Sequence, residues 1–120
     1  MVGVNTGNKL TTGTNNIFMG SNASVNAVSS INSVVIGSNA MENGDADGVI
    51  IIGNNAGRNN IGDGNIFIGS NVGVNNTTGE NNIFIGLNTG IQNIISKDNV
   101  IIGSNSGALL VNLFMEVCYG

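Results

Sequence analysis

Residues 82–90 of the chain read Asn-Ile-Phe-Ile-Gly-Leu-Asn-Thr-Gly, and variants of this unit recur throughout the sequence. In each copy an apolar triplet ends in glycine, and asparagine follows two residues later. The glycines are spaced by 17, 17, 16, 16, 17 and 17 residues, at Gly3, Gly20, Gly37, Gly53, Gly69, Gly86 and Gly103. A period this regular predicts a repeat architecture in which each repeat contacts its neighbours along one axis.

The apolar triplets that precede the glycines have the composition of short β-strands. They are rich in β-branched and aromatic residues and are bounded by Gly, Asn and Ser, as in 66–68. Because successive strand side chains point to opposite faces, the middle residue of a triplet faces away from its two neighbours. The middle positions, which we predict to form a core or oligomer face, are Phe18, Val35, Ile51, Phe67, Phe84 and Ile101.

Both faces of every triplet are apolar, so we expect both to be buried away from water. A solenoid coil buries one face in its own interior and leaves the other as a continuous apolar stripe along the outside. Stripes of this kind mark interfaces. The sequence therefore predicts an all-β chain, a β-solenoid (β-roll) of about seven coils of 16–17 residues, that associates with itself.

The asparagine after each glycine repeats as regularly as the glycine itself. Asparagine tolerates left-handed backbone conformations, and its side chain bonds to nearby backbone. If coils stack at about 4.8 Å, these side chains also form a hydrogen-bonded ladder along the axis. The predicted structural ladder comprises Asn5, Asn22, Asn39, Asn55, Asn71, Asn88 and Asn105.

The chain divides into a repeat domain, residues 1–107, and a final segment, residues 108–120. The final segment is strongly apolar, yet Gly120 lies 17 residues after Gly103 and 117–120 echoes the strand-plus-glycine unit. We interpret it as a degenerate last coil or a hydrophobic cap, with a short amphipathic helix as the alternative. Asn112 and Glu116 interrupt it, and it is shorter than the roughly 20 apolar residues that cross a bilayer.

Composition excludes several classes of partner. Charged residues make up 8% of the chain, the net charge is −4, and only three residues are basic. Nucleic acid is bound by clustered Lys and Arg, so we expect no nucleic-acid partner, and the acidic balance does not suit an anionic membrane. The N-terminus lacks a basic region followed by an apolar stretch, so no signal peptide is predicted. Cys118 is the single cysteine; a buried apolar role is favoured over a bond between chains.

Little in the sequence supports catalysis. Histidine is absent, which removes the commonest general base and metal ligand, so we predict no enzyme, no catalytic residue and no cofactor. One column of carboxylates is a weak cation candidate: Asp47, Asp63 and Glu80 each lie six places before a coil glycine, and Lys97 ends the column. Solvated turns are the favoured interpretation of these four residues.

The stretch 75–90 and the unit Asn32-Ser33-Val34-Val35-Ile36-Gly37 carry a family resemblance. The chain resembles the shaft repeats of viral and phage tail-fibre proteins and is similar to the β-roll heads of trimeric autotransporter adhesins. The resemblance covers residues 2–107. It implies a parallel homotrimer of β-rolls, with one apolar face inside each protomer and the other at the threefold axis. It also implies an extracellular, virion or cell-surface location.

From these observations we expect a structural protein, a fibre shaft or surface segment of a virus, phage or bacterial cell. Two alternatives stay open: a self-assembling filament subunit, and a monomeric ice-binding or ligand-binding solenoid. Loops on a rigid scaffold are the usual place for recognition, here of a glycan or receptor. The positions left for such contacts are Arg58, Asn59, Asn60, Thr77, Thr78, Ile94 and Lys97.

Overall fold

The computed structural model describes residues 1–107 and 117–119, and the described chain is a parallel β-solenoid without helices. Each coil contributes one three-residue strand, and the strands form one sheet in chain order. The strands are β1 (Ile17–Met19), β2 (Val34–Ile36), β3 (Ile50–Ile52), β4 (Ile66–Ile68), β5 (Ile83–Ile85), β6 (Val100–Ile102) and β7 (Val117–Tyr119). The predicted all-β solenoid is confirmed.

The strands pair in parallel and in phase with the repeat. Ile66 pairs with Ile83 and Phe67 with Phe84, so equivalent residues of successive coils stack on one another. An isolated bridge from Val2 to Met19 starts the stack. From β1 to β6 the chain makes about five turns of about 17 residues, slightly fewer than the seven coils expected from the repeat. The molecule is elongated, with principal extents of 35 × 21 × 17 Å.

The last strand continues the same sheet. β7 pairs in parallel with β6, with Val117 opposite Val100. The interpretation of the final segment as a last coil or a cap depends on residues 108–116 and 120, which lie outside the described residues.

The interior of the coil is filled by the middle residue of each triplet. All six predicted positions are 0 or 1% exposed. The rings of Phe67 and Phe84 stack with centroids 5.0 Å apart and planes 12° apart. These residues therefore form the protomer core, and the oligomer-face interpretation of them is wrong. The residues on either side of them occupy the outer surface instead.

The glycine that ends each triplet is required by the close approach of successive coils. Gly69 has a φ of +131°, and a Cβ added there would collide with the carbonyl oxygen of Gly86 in the next coil. The backbone N–H of Gly86 in turn donates to the carbonyl of Ile68 at 2.9 Å. A side chain at this position would thus push apart two coils that the backbone hydrogen bonds hold together.

A second glycine, four residues after the first, makes room for phenylalanine. Gly73 has a φ of +56°, and a Cβ there would lie 2.7 to 2.9 Å from three carbons of the Phe67 ring. The equivalent position is Met41 in the coil of Val35, whereas the coils of Phe18 and Ile51 have Ser24 and Gly57 there, all three at positive φ. In the coil of Val35, a smaller strand residue therefore accompanies a larger corner residue.

We predict that Gly73→Ala destabilises the protein far more than Gly48→Ala. Both positions have left-handed φ, but a Cβ at Gly48 would meet nothing within 4 Å. The backbone strain common to both is about 1 kcal/mol, and the clash with Phe67 adds about 1 to 3 kcal/mol. Urea unfolding of both variants measures the difference. Equal losses would show that the Phe67 ring yields to the added methyl group.

Candidate interaction surface

The first and third residues of the triplets form a flat apolar surface on the outside of the sheet. We call it the outer aliphatic face. Its most exposed members are Ile17 (54%), Met19 (43%), Ile50 (39%) and Ile102 (37%), and the others are half-buried. The face comprises Ile17, Met19, Val34, Ile36, Ile50, Ile52, Ile66, Ile68, Ile83, Ile85, Val100 and Ile102. No position in it is charged or polar.

The pleat of the strands and the register of the sheet together produce this surface. Each strand turns its middle side chain into the coil and its two flanking side chains outward. Because Ile50 pairs with Ile66 and Ile52 with Ile68, the outward side chains align in two parallel columns. The chain's own loops leave these columns accessible, so the part of the chain that the structure describes exposes a continuous aliphatic strip.

The predicted asparagine ladder is present beside the glycine column. In five of the six successive pairs, the side-chain Nδ2 of one residue donates to the Oδ1 of the next coil at 3.2 to 3.3 Å, as from Asn55 to Asn71 and from Asn71 to Asn88. All seven residues have φ between 54 and 58°. Their side chains are half-buried or exposed. We call this set the outer asparagine ladder; it holds the corner of each coil at the surface.

A second set of asparagines, which the sequence reasoning did not identify, lies inside the coils. We call it the inner asparagine cluster, and its six members are 0 or 1% exposed: Asn60, Asn65, Asn76, Asn82, Asn93 and Asn99. The sequence contains a pattern that indicates three of the six, because asparagine recurs four places before Gly69, Gly86 and Gly103.

The inner asparagine cluster satisfies carbonyl groups that the loops turn inward. Asn65 donates to the carbonyl oxygens of Gly62 at 2.9 Å and Gly79 at 2.7 Å. Asn82, one coil further along, donates to the carbonyl of Ser96 at 2.8 Å and to Oδ1 of Asn65 at 3.1 Å. The amides thus bond both within their own loop and to the neighbouring coil, which ties successive loops together.

Asn60 is therefore not a binding-loop residue, and that prediction is wrong. Its side chain is fully buried, donates to the carbonyl of Gly62 at 2.8 Å, and accepts from the amides of Asn65 and Asn76. The loop turns Asn60 inward because its amide completes the inner cluster. A partner at the surface has no access to it.

The other predicted loop residues lie at or near the surface. Arg58 forms an ion pair with Glu42 of the preceding coil, and Asn59 accepts from Asn43 at 3.0 Å. The remaining loop residues include exposed Thr78, Ile94 and Lys97 and half-buried Thr77. Exposed aliphatic residues also occur on the loops, with Ile61 and Ile95 both 49% exposed. The loops form a mixed surface, in contrast to the uniform outer aliphatic face.

Two of the three carboxylates proposed as a weak cation site, Asp47 and Asp63, accept hydrogen bonds from backbone N–H groups. Asp47 accepts the backbone N–H of Ile31 at 2.8 Å, and Asp63 accepts that of Asp47 at 2.8 Å. Among the described residues no group of three or more His, Cys, Asp or Glu side chains is arranged to hold a metal ion. Asp47 and Asp63 cap the loop of the preceding coil.

Asp45 caps the neighbouring coil most extensively. It accepts from the Ser30 hydroxyl at 2.7 Å, the Ser29 hydroxyl at 3.1 Å and the Ser29 backbone N–H at 3.1 Å. Partial burial raises the pKa of Asp45, but these hydrogen bonds lower it by more, so the pKa lies below 3.8. The charged carboxylate therefore stabilises the stack.

Comparisons with protein families, with curated proteins and with solved structures return no match to this chain. The described residues form no pocket, and they include no helix of the length and apolarity needed to span a bilayer. The outer aliphatic face is the most distinctive surface in the described part of the molecule.

We predict that Asn82→Ala is more destabilising than Asn71→Gly. Asn82→Ala removes buried hydrogen bonds to Asn65, Ser96 and Asn99, at about 1 to 3 kcal/mol for each group left unpaired. Asn71→Gly removes two half-exposed ladder bonds but keeps the left-handed backbone accessible, so about 1 kcal/mol is expected. Chemical denaturation compares the two. A larger loss of stability in Asn71→Gly than in Asn82→Ala would contradict the expectation that the inner asparagine cluster stabilises the fold more than the outer asparagine ladder does.

We predict that Asp45→Asn reduces the acid sensitivity of the protein. The pKa of Asp45 is lowered in the folded state relative to its ordinary value of 3.8. The stability that the charged carboxylate contributes is therefore fully present above pH 3.8 and is lost as the pH falls through the folded pKa. The stability difference between wild type and Asp45→Asn should therefore be largest near neutral pH and shrink below pH 3.8. Denaturation across this range measures it. Glu80→Gln, which changes the net charge equally at an exposed position, is the control.

Proposed function

We propose that this chain is a structural repeat protein that associates with copies of itself through the outer aliphatic face. In this proposal it forms a shaft or surface segment of an extracellular fibre of a virus, a phage or a bacterial cell. The observation that supports self-association is the face itself, twelve aliphatic positions on six stacked strands without a charged or polar side chain.

A face of this composition favours an apolar partner along its whole length. Contiguous exposed apolar surface on a soluble protein commonly marks an interaction site. A second copy of the chain offers the same columns with the same spacing from coil to coil, so apolar side chains meet apolar side chains at every level. Neither of the two faces carries a charged side chain, so their contact would bury no charge.

A parallel homotrimer is the arrangement we favour. Each protomer has one such face, and three flat faces arranged about a threefold axis enclose a closed apolar interior. Closed cyclic symmetry satisfies all copies equally and ends the lateral assembly. The trimer, like the location on a virion or cell surface, rests on the resemblance of the repeats to tail-fibre and adhesin shafts.

The loops carry any recognition in this proposal. Arg58, Asn59, Thr77, Thr78, Ile94 and Lys97 remain as candidates for contact with a glycan or receptor. The same loop positions recur in each coil and in each copy, so weak single contacts would add to a strong combined one. A glycan array and a cell-binding assay on the assembled protein test this part of the proposal.

We predict that the double substitution Ile17→Glu and Ile50→Glu dissociates the assembly without unfolding the protomer. Both side chains are exposed in the single chain, so glutamate is tolerated there, but an apolar interface would bury its charge. Burying an unpaired charge costs several kcal/mol, so the apparent mass should fall to that of one chain. Light scattering over a range of concentrations measures this.

The matched control is Ile61→Glu with Ile95→Glu. It makes the same chemical change at two isoleucines that are each 49% exposed on the loops, and it should leave the mass unchanged. A wild-type protein that remains a single chain at every concentration would contradict the proposal. So would equal dissociation in both double variants.

A further inference from the structure

Over β1 to β6, the outer aliphatic face carries no side chain that fixes which coil of one copy lies beside which coil of another. We propose that self-association through this face is degenerate in register, so that copies also associate in parallel with a stagger of one or more whole coils. This inference rests on the proposed self-association and concerns how that contact is organised.

The side chains of the face are nearly identical from coil to coil. The position directly before the glycine is isoleucine in five coils and methionine in one, Met19. The position at the start of the strand is isoleucine in four coils and valine at Val34 and Val100. Shifting one copy by a single coil therefore exchanges isoleucine mostly for isoleucine, and every exchange is between aliphatic side chains.

Because of the geometry of the stack, such a shift loses little free energy of association. All coils are joined in phase through the strand pairing, so a shift by one coil restores the same alignment of columns. The shifted pair keeps five of its six coil contacts. Repetitive strands without distinctive side chains specify register weakly in the same way.

The size of the face adds to this argument. Six strands at about 4.8 Å and three residues at about 3.3 Å give a strip of about 29 by 10 Å, roughly 300 Å² in projection. Stable interfaces bury about 800 Å² per partner. Association over this length is therefore weak and concentration-dependent, and losing one coil contact changes it by a modest factor.

Staggered contacts have a structural consequence that an aligned closed oligomer lacks. A copy displaced along the axis leaves part of its face uncovered, and that part can receive another copy. Contacts that do not close on themselves generate open assemblies. Overlapping copies would then form a fibre longer than the 35 Å of one chain.

Cysteine cross-linking measures the register directly. Ile52→Cys, Ile68→Cys and Ile85→Cys, each combined with Cys118→Ala, place one thiol in the same column of three successive coils. Each variant is oxidised alone and in mixtures, with one partner carrying a mass tag, and the cross-linked pairs are counted by mass spectrometry. Thr78→Cys in the same background is an exposed control on a loop.

Register degeneracy predicts that the pairs 52/68 and 68/85 cross-link within about tenfold of the same-level pairs, since one contact in six is lost. Cross-links confined to same-level pairs would overturn the inference and leave the proposed function intact. Cross-links between positions 52 and 68, without cross-links between positions 68 and 85, would indicate one fixed antiparallel register. That result would also overturn the inference. No cross-links above the Thr78→Cys control, with a single-chain mass, would overturn both.

Cysteine at a half-buried position could disturb folding, so a second column provides an independent readout. Ile50→Cys, Ile66→Cys and Ile83→Cys occupy the same three coils at the other edge of the face. Circular dichroism selects the variants that fold as the wild type does. Neighbouring-coil cross-links in either column support the inference, and same-level cross-links alone in both columns overturn it.

Discussion

The close stacking of each coil on the next is the constraint on which the rest of the structure depends. Backbone hydrogen bonds join successive coils, as from the N–H of Gly69 to the carbonyl of Ile52 at 2.8 Å. At this separation only glycine fits at the end of each triplet, because any Cβ would collide with the next coil. The 16–17-residue period follows, since each coil must return the chain to the same place.

Stacking at a fixed separation also decides where polar groups can be satisfied. A loop that turns a carbonyl into the coil interior removes it from water, and a buried carbonyl without a donor is costly. The inner asparagine cluster supplies these donors in the coils that contain Phe67 and Phe84. Where Ser33 takes the same position, its hydroxyl bonds the carbonyl of Ala46 in the next coil at 3.1 Å. Short polar side chains therefore stabilise the interior as well as the surface.

The same constraint shapes the surface that we propose as an interface. In this fold each strand of three residues turns its middle side chain inward, and the two flanking side chains remain outside. Because every coil repeats this division in phase, exposed isoleucines and valines align in columns instead of scattering. Burial of these columns by other copies would add apolar stabilisation that a thin solenoid cannot obtain from its own interior. The regularity of the face and the weak specification of register that we propose for its contacts then have a common origin.

The sequence by itself determined the repeat, the parallel solenoid, the strand positions and the outer asparagine ladder. These features depend on periodicity and on local backbone preferences, which are visible in the order of residues. Only the tertiary structure decided that Phe67 faces the coil interior while Ile66 and Ile68 face outward. Both faces of the triplet are apolar, so alternation alone could not choose between them.

The tertiary structure also decided that Asn60 and Asn82 are buried whereas Asn71 is not. All three are asparagines in polar stretches of the sequence, so composition predicts the same exposure for each of them. They differ in burial because the path of the loop turns Asn60 and Asn82 inward. There Asn82 donates to the carbonyl of Ser96, 14 places away in the chain, and Asn60 accepts from Asn76, 16 places away. Contacts between coils, and not local sequence, determine which amides the core requires.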